Sequence, residues 1–576
     1  MAVSNQEIAE RFKTVAEILA VQGANPFRIR AYQRAALVLE NLSQDVTTLI
    51  QSGQDLTELP GIGKDLAAKI NELSRTGHLR FLENLQRKTP EGILQLLKIP
   101  SLGPKRVQKL LQLLQVKNLQ DLKKAVQDKK IRTVAGFGKK LEEQIAQELT
   151  LQQDNPKRFL WTTAQQLISP LFEQLQKISA VDKIVLAGSF RRHKETVGDI
   201  DILATSRSPE LVLNQFVQHA DVAHIVAKGD TRSTVILRHG LQVDLRVIAP
   251  ESYGAALLYL TGSKAHNIAL RKLAQARGWK INEYGVFDGA KRLAGKSEEE
   301  IYKILGLQFI PPELREDQGE ISAAQNGHLP QLITLKDLKG DLHAHTVDSD
   351  GQASLAAMAK AASAFGLTYL AITDHSKYLG ITNGLDAKRL SKQIQMIDHH
   401  NARSKDITLL KGIEVDILED GSLALANDIL QDLDVVVGAI HTKFHLTREK
   451  QTERILRALD NPYLTILAHP TGRLLNERRP YEVDLEKIMR ATKTRGKFLE
   501  VNSQMQRLDL DDQGCRMAKE LGVTLVISSD AHSSESYDLL TLGVSQAARG
   551  WIASCDVLNT RSLTEVRRRL AAAQRH

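Results

Sequence analysis

Cysteine is almost missing: Cys515 and Cys555 are the only two in 576 residues, and they form no C-x-x-C pair. That leaves no disulfide framework and fits a reducing cytoplasm with inert thiols. No apolar run reaches the roughly eighteen residues that a membrane-spanning helix needs. The N-terminus MAVSNQEIAERF lacks a basic stretch followed by an apolar one, so no secretory signal is expected. What remains is a soluble chain with 42% hydrophobic and 25% charged residues, long enough for about three or four domains.

The net charge of +9 is lopsided: residues 1–340 carry +10 and residues 341–576 carry −1. Any one basic run reads as a solvated helix face. An excess confined to one part of the chain favours a polyanionic partner there. Residues 1–150 are rich in helix formers. Short strands follow over 181–250, then helix and a small hairpin at NEYGVFDGAKRL. The polar, Pro- and Gly-bearing stretch 316–338 reads as a linker. From 339 onward strands alternate with helices, as in a parallel α/β domain.

One element recurs three times in the basic, helical part: LPGIGKDLAAKI at 59–70, IPSLGPKRVQKL at 99–110 and VAGFGKKLEEQI at 134–145. Each has an apolar residue, a tight glycine turn (Gly61 and Gly63; Gly103; Gly136 and Gly138) and a helix. Such a turn presents backbone N–H groups at a helix start and can grip a phosphate without reading a base. The repeats resemble helix-hairpin-helix DNA-binding elements, with Ser101 standing for the usual first glycine in the second copy.

The segment GSFRRHKETVGDIDIL at 188–203 has Asp199 and Asp201 two apart in a strand, so both carboxylates share a face. A third carboxylate, Asp244 in LQVDLRVI, lies on a strand that a turn at RHG could bring alongside. Three carboxylates suit Mg²⁺ or Mn²⁺ and can hold two ions about 3.5–4 Å apart for nucleotidyl transfer. Gly188, Ser189 and Arg192 could hold a triphosphate.

On these motifs residues 1–320 resemble a family X DNA polymerase, the group that includes polymerase beta. The segment YLTGSKAHNIALR at 259–271 is similar to that family's thumb. The resemblance implies that Tyr259 and Gly262 bound the sugar pocket, Asn267 faces the nascent base pair and Arg271 tracks the template. It also matches Lys69 to the family's Schiff-base lysine, although Asp65 stands where a second lysine is usual and favours the charged amine. His193 replaces a usual glycine, and Leu260 a usual aromatic.

After residue 340, seven apolar strands end in polar residues: His343, His345 and Asp350; His375; Glu414; His441; His469; Asn502; Asp530 and His532. In parallel barrels the strand-to-helix loops converge at that rim. Burying so many titratable groups without metal would be costly. Mixed histidine and carboxylate ligation suits Zn²⁺, Mn²⁺ or Fe²⁺, and these nine residues, without Asn502, suffice for three ions that hydrolyse phosphoesters. The set resembles a PHP (polymerase and histidinol phosphatase) domain over 339–576. That likeness implies supporting or substrate roles for Asp374 and Asn502, and a phosphate contact for Arg473.

The expected architecture is therefore multidomain. A helical helix-hairpin-helix region covers 1–80 and fingers 81–150; an α+β nucleotidyltransferase palm covers 151–250 and a thumb 251–315. The linker 316–338 leads to a (β/α)7 PHP barrel at 339–576. The expected activity is gap-filling DNA synthesis from deoxynucleoside triphosphates on gapped DNA or recessed 3′ ends. With it comes 3′–5′ exonuclease, abasic-site endonuclease or 3′-phosphatase action, by a cytoplasmic prokaryotic monomer. The alternative is a 3′-end-processing phosphoesterase with weak or lost polymerase activity.

Overall fold

A computed structural model describes residues 5–40, 46–51, 54–59, 61–87, 89, 92–97, 99, 101–154, 158–378 and 382–574. The chain divides into two compact units, Met1–Pro156 and Lys157–His576.

The first unit is helical throughout its described residues. Its apolar residues gather into two clusters, one around Phe12, Tyr32, Leu39 and Ile70, the other around Val107, Leu110, Ile131 and Ile145. All three repeats end in a helix: Lys64–Thr76, Pro104–Leu114 and Lys139–Asp154. Gly61 (φ 86°) and Gly136 (φ 90°) occupy the left-handed region that a side chain would strain. Gly63 and Gly103 cap the first two helices with no side-chain bond to the first-turn amides. Pro60 and Pro100 of these repeats lie outside the described residues.

In the second unit a five-stranded sheet runs in the order Val181–Leu186, Asp199–Ser206, Gln242–Ile248, Arg232–Leu237 and Val222–Lys228. Period-two burial explains it. Ile200, Ile202 and Ala204 join a core under the helices Trp161–Gln176 and Pro209–Val217. Leu203 points the other way, to Ala256 and Leu257 on the helix Tyr253–Thr261. The turn at Arg238–Gly240 joins Arg232–Leu237 to Gln242–Ile248 as an antiparallel pair. The expected hairpin beyond it is a three-stranded antiparallel sheet, Lys280–Asn282, Gly285–Asp288 and Lys291–Ala294.

The stretch 316–338 is not a free linker. It forms the helix Glu320–Gln325, and Ile321, Ala324, Leu329 and Leu332 pack against Leu305 and Tyr302. Its one fully buried charge is paired: Glu320 bonds His266 at 2.6 Å and accepts the amides of Asp317 and Gln318. A polar composition is thus satisfied inside the fold.

Seven parallel strands follow in sequence order: Gly340–Asp341, Tyr369–Ile372, Thr408–Asp416, Val435–Ala439, Ile466–Leu467, Phe498–Asn502 and Leu525–Ser528. An isolated parallel bridge between Ala344 and Ala531, just beyond the ends of the first and last strands, brings the two edges together, so the barrel is nearly closed. Tyr369, Ala371, Leu410, Val435, Val437, Phe498 and Val526 form one cluster with Val566 and Leu570 of the C-terminal helix Leu563–Ala573. The alternate residues Leu370, Val436, Leu499 and Ile527 pack among the surrounding helices.

Candidate metal centres

In the five-stranded sheet the Asp199 and Gln242 strands are parallel and in register, with Asp201 directly opposite Asp244. Asp199, two residues earlier, shares the face of Asp201. Gly188 (φ 63°) sits against them: a Cβ there would lie 2.3 Å from Asp201 Oδ2. Burial, and then the charges of Asp199 and Asp244, push the Asp201 carboxyl up to about 7. Burial also opposes the Asp244 charge, but hydrogen bonds from Thr234, Arg232 and Gln242 outweigh it and hold that carboxyl below its ordinary range. Arg232 Nη2 donates to Asp244 Oδ1 at 2.7 Å and Gln242 Nε2 to Oδ2 at 2.9 Å. The trio could hold divalent ions, since the mutual repulsion at Asp201 is what a cation relieves.

The nucleotide contacts expected from sequence are only partly open. Arg192 is buried, with Nε donating to Glu316 (2.9 Å) and Nη1 to the Thr261 carbonyl (2.7 Å). Its guanidinium is therefore engaged by the fold instead of standing free for a triphosphate. Tyr259, Gly262, Asn267 and Arg271 are brought together: Asn267 Nδ2 donates to the carbonyls of Tyr259 (2.7 Å) and Gly262 (3.2 Å), and Arg271 Nε to the Asn267 carbonyl (3.2 Å). A Cβ on Gly262 would meet Asn267 Oδ1 at 2.7 Å. His193 takes a left-handed conformation (φ 52°), one that favours glycine, and stacks on Trp161 at 5.2 Å. Leu260 packs beside Leu257. In the helical unit Lys69 is ion-paired with Asp65, and its ammonium lies 5.2 Å from the Phe81 ring centre.

The barrel rim brings all nine expected residues together. Among the described residues, three overlapping groups have ligand atoms within 4.8 Å of one another: His345, Asp350, His375 and His532; His343, His345 and Asp530; His375, Glu414 and His441. His469 Nε2 lies 3.2 Å from Glu414 Oε1. Alternation explains the convergence, because His375, Glu414 and His441 continue the inward-facing series 369–371, 410 and 435–439. Several ring and carboxylate atoms are buried without a hydrogen-bond partner: His343 Nε2, both nitrogens of His345, His469 Nδ1 and Glu414 Oε2. Buried polar atoms are rarely left so, and this donor set fits transition-metal ions.

The electrostatics are those of acids and imidazoles sharing protons. Burial works against the Glu414 charge, but His375, His441 and His343 hold its carboxyl well below the ordinary range. Asp530 is likewise held well down, with His343 the leading attraction against burial. His343 and His375 are raised well above the usual imidazole value despite burial, by Glu500 and Glu414 respectively. His441 and His532 are also raised. Burial and neighbouring histidines lower His345; burial and Arg507 lower His469.

Two carboxylates missed in the sequence orient these rings. Glu500 Oε1 accepts from His343 Nδ1 (2.7 Å), while its Oε2 accepts the His469 amide (2.7 Å). Asp416 Oδ1 accepts from His441 Nδ1 (2.9 Å). Each lies two residues along a strand from a residue already singled out, Asn502 and Glu414, and that spacing was the available signal. Asn502 donates to Asp530 (3.0 Å), and Asp374 accepts from Thr346, Ser349 and Gln393. Arg473, expected at a phosphate, is bound by Glu195 and the Leu508 carbonyl.

Fold and sites together define a chain that joins a beta-type polymerase palm and thumb to a PHP barrel. Family models match in the same order: helix-hairpin-helix domain (3–79), SAM-like helix-hairpin-helix tandem (93–150), DNA polymerase beta palm (162–254), DNA polymerase beta thumb (256–316) and PHP domain (341–504). The DNA polymerase/3'-5' exonuclease PolX of Bacillus subtilis (strain 168) is 39% identical over 97% of this chain and 98% of its own length. A probable phosphatase of Thermoanaerobacter sp. (strain X514) is 31% identical over 34% of this chain and 79% of its own length. One from Acetivibrio thermocellus is 32% identical over the same shares. The chain belongs to the PolX family of DNA polymerase/3'-5' exonucleases.

Proposed function

We propose that this chain fills short gaps in DNA from deoxynucleoside triphosphates and hydrolyses phosphoesters at DNA 3′ ends, acting as a monomer. The carrying observation is that one chain holds two separate acidic centres, one on the palm sheet and one on the barrel rim. Asp199, Asp201 and Asp244 would hold Mg²⁺ or Mn²⁺; the nine barrel residues would hold Zn²⁺, Mn²⁺ or Fe²⁺. Bound there, such ions supply Lewis-acid stabilisation of phosphoryl oxygens.

The protein's own part is positioning. Gly188 leaves room for the Asp201 carboxylate, and the paired strands keep Asp201 opposite Asp244. Asn267 ties the turn that carries Tyr259 and Gly262, the proposed nucleotide wall. Gly61, Gly63, Gly103, Gly136 and Gly138 are the proposed backbone-phosphate contacts. At the barrel rim Glu500 and Asp416 fix the His343 and His441 rings. The engagement of Arg192 by Glu316, and of Asp244 by Arg232, favours a second reading in which DNA synthesis is weak beside 3′-end hydrolysis.

The test uses one labelled gapped substrate. Asp199→Ala is expected to lower primer extension by at least about 10³-fold, roughly 4 kcal/mol of transition-state stabilisation, while leaving shortening intact. His343→Ala is expected to do the reverse. Joint loss of both activities in both variants would refute separate centres, and no Asp199-dependent extension by the wild type would refute the polymerase.

A further inference from the structure

The segment between Gly188–Ser189 and Asp199 is held from the barrel side. Glu195 accepts hydrogen bonds from Arg473 Nη2 (2.5 Å) and Gln546 Nε2 (2.7 Å). Arg549 Nη1 donates to the Arg192 carbonyl (3.1 Å) and lies 3.3 Å from Glu316 Oε1, the oxygen that accepts Arg192 Nε. Asp512 neutralises Arg549 from the barrel side. Both barrel arginines are buried.

Gln546 and Arg549 are three residues apart on the helix Leu540–Arg549, so they present neighbouring side chains to the palm. Earlier on that helix, Gly543 meets the residue after Asn502 so closely that a Cβ would lie 2.0 Å from Ser503 Oγ. One end of the helix is thus fixed against the barrel rim and the other against the palm segment. Buried ion pairs add little net stability over apolar packing, because desolvation offsets attraction. What they do fix is geometry, here the geometry of a segment whose two ends carry the nucleotide-site glycine and the first carboxylate.

We infer that Arg549 and Glu195 are positioning residues for nucleotidyl transfer, through which the barrel sets the palm segment 192–195 between the Gly188 turn and Asp199. This rests on the polymerase reading above. The barrel is then part of the polymerase scaffold as well as the bearer of its own centre.

The test is single-nucleotide insertion into gapped DNA by the full chain, with KM for the nucleotide and kcat measured separately. Hydrolysis of a labelled 3′ end and the thermal midpoint are measured alongside. Arg549→Leu is expected to raise KM at least tenfold, to leave 3′-end hydrolysis within twofold, and to be partly rescued by Arg549→Lys. Glu195→Gln keeps the shape while removing the charge, and is expected to move KM in the same direction by a smaller factor. It decides the matter if Arg549→Leu does not fold. Unchanged KM and kcat in folded variants would overturn the inference, as would parallel loss of both activities. A wild type that inserts nothing would overturn the polymerase reading and this inference with it, an outcome seen before any variant is compared.

Discussion

At the scale of single residues, the palm site depends on an absence. Gly188 has both a left-handed backbone and no room for a methyl group beside Asp201. Gly188→Ala is expected to displace the Asp201 carboxylate and lower primer extension by about 10²-fold or more, since misplacing a reacting group by an ångström has that effect. Its 3′-end hydrolysis is expected to be unchanged, and parallel assays on gapped DNA read both. The barrel site depends on residues behind the imidazoles. Glu500→Gln removes the charge that orients His343 and is expected to weaken metal binding about 10–100-fold, read by competition with a chelator. The placement of Asp199 and Asp201 on one face was legible from their two-residue spacing, and that of Asp244 beside them from the turn at Arg238–Gly240 that returns its strand to the sheet. Glu500 and Asp416 were not legible, because each lies within its strand, two residues from Asn502 or Glu414, where a carboxylate in an apolar run gives no separate motif.

At the scale of elements, the strands were legible where apolar runs end in a polar residue; the first barrel strand, Gly340–Asp341, is the exception, being two residues long with no apolar run. The stretch 316–338 was not legible, because composition cannot tell a solvated charge from one buried in a pair such as Glu320 with His266. The barrel rim as an assembled element also has a pH signature. His343, His375, His441 and His532 titrate above their ordinary value of about 6.5 in the metal-free protein. The stability that their protonated forms contribute is full below that value and lost as pH rises through the raised values. Glu414 and Asp530 behave oppositely: their contribution is present above the ordinary carboxylate range and lost on acidification through the lowered values. Metal must displace the imidazole protons, so loading is expected to release protons and to weaken as pH falls from about 8 to about 6. Calorimetry in buffers of different ionisation enthalpy reads the proton count; a pH-independent, proton-neutral loading would contradict this assignment of charge.

At the scale of the whole molecule, the basic excess lies in residues 1–340 and the barrel that follows is close to neutral. Electrostatic grip on a DNA backbone therefore belongs to the first part of the chain, while the barrel centre needs only a phosphoester. The two demands separate experimentally because counterion release makes backbone binding steeply salt-dependent and leaves small-ligand chemistry nearly untouched. Raising salt from about 50 to 200 mM at subsaturating DNA is expected to cut both gap filling and 3′-end hydrolysis by orders of magnitude, on the order of 10³-fold if about six phosphates are held. Hydrolysis of a small phosphomonoester by the same preparation is expected to change by less than about twofold, since few counterions are displaced. Parallel decline of both substrates would mean that salt acts on the barrel centre itself. Insensitivity of both would mean that the hairpin glycines and the basic helices do not hold the DNA that the centres act on.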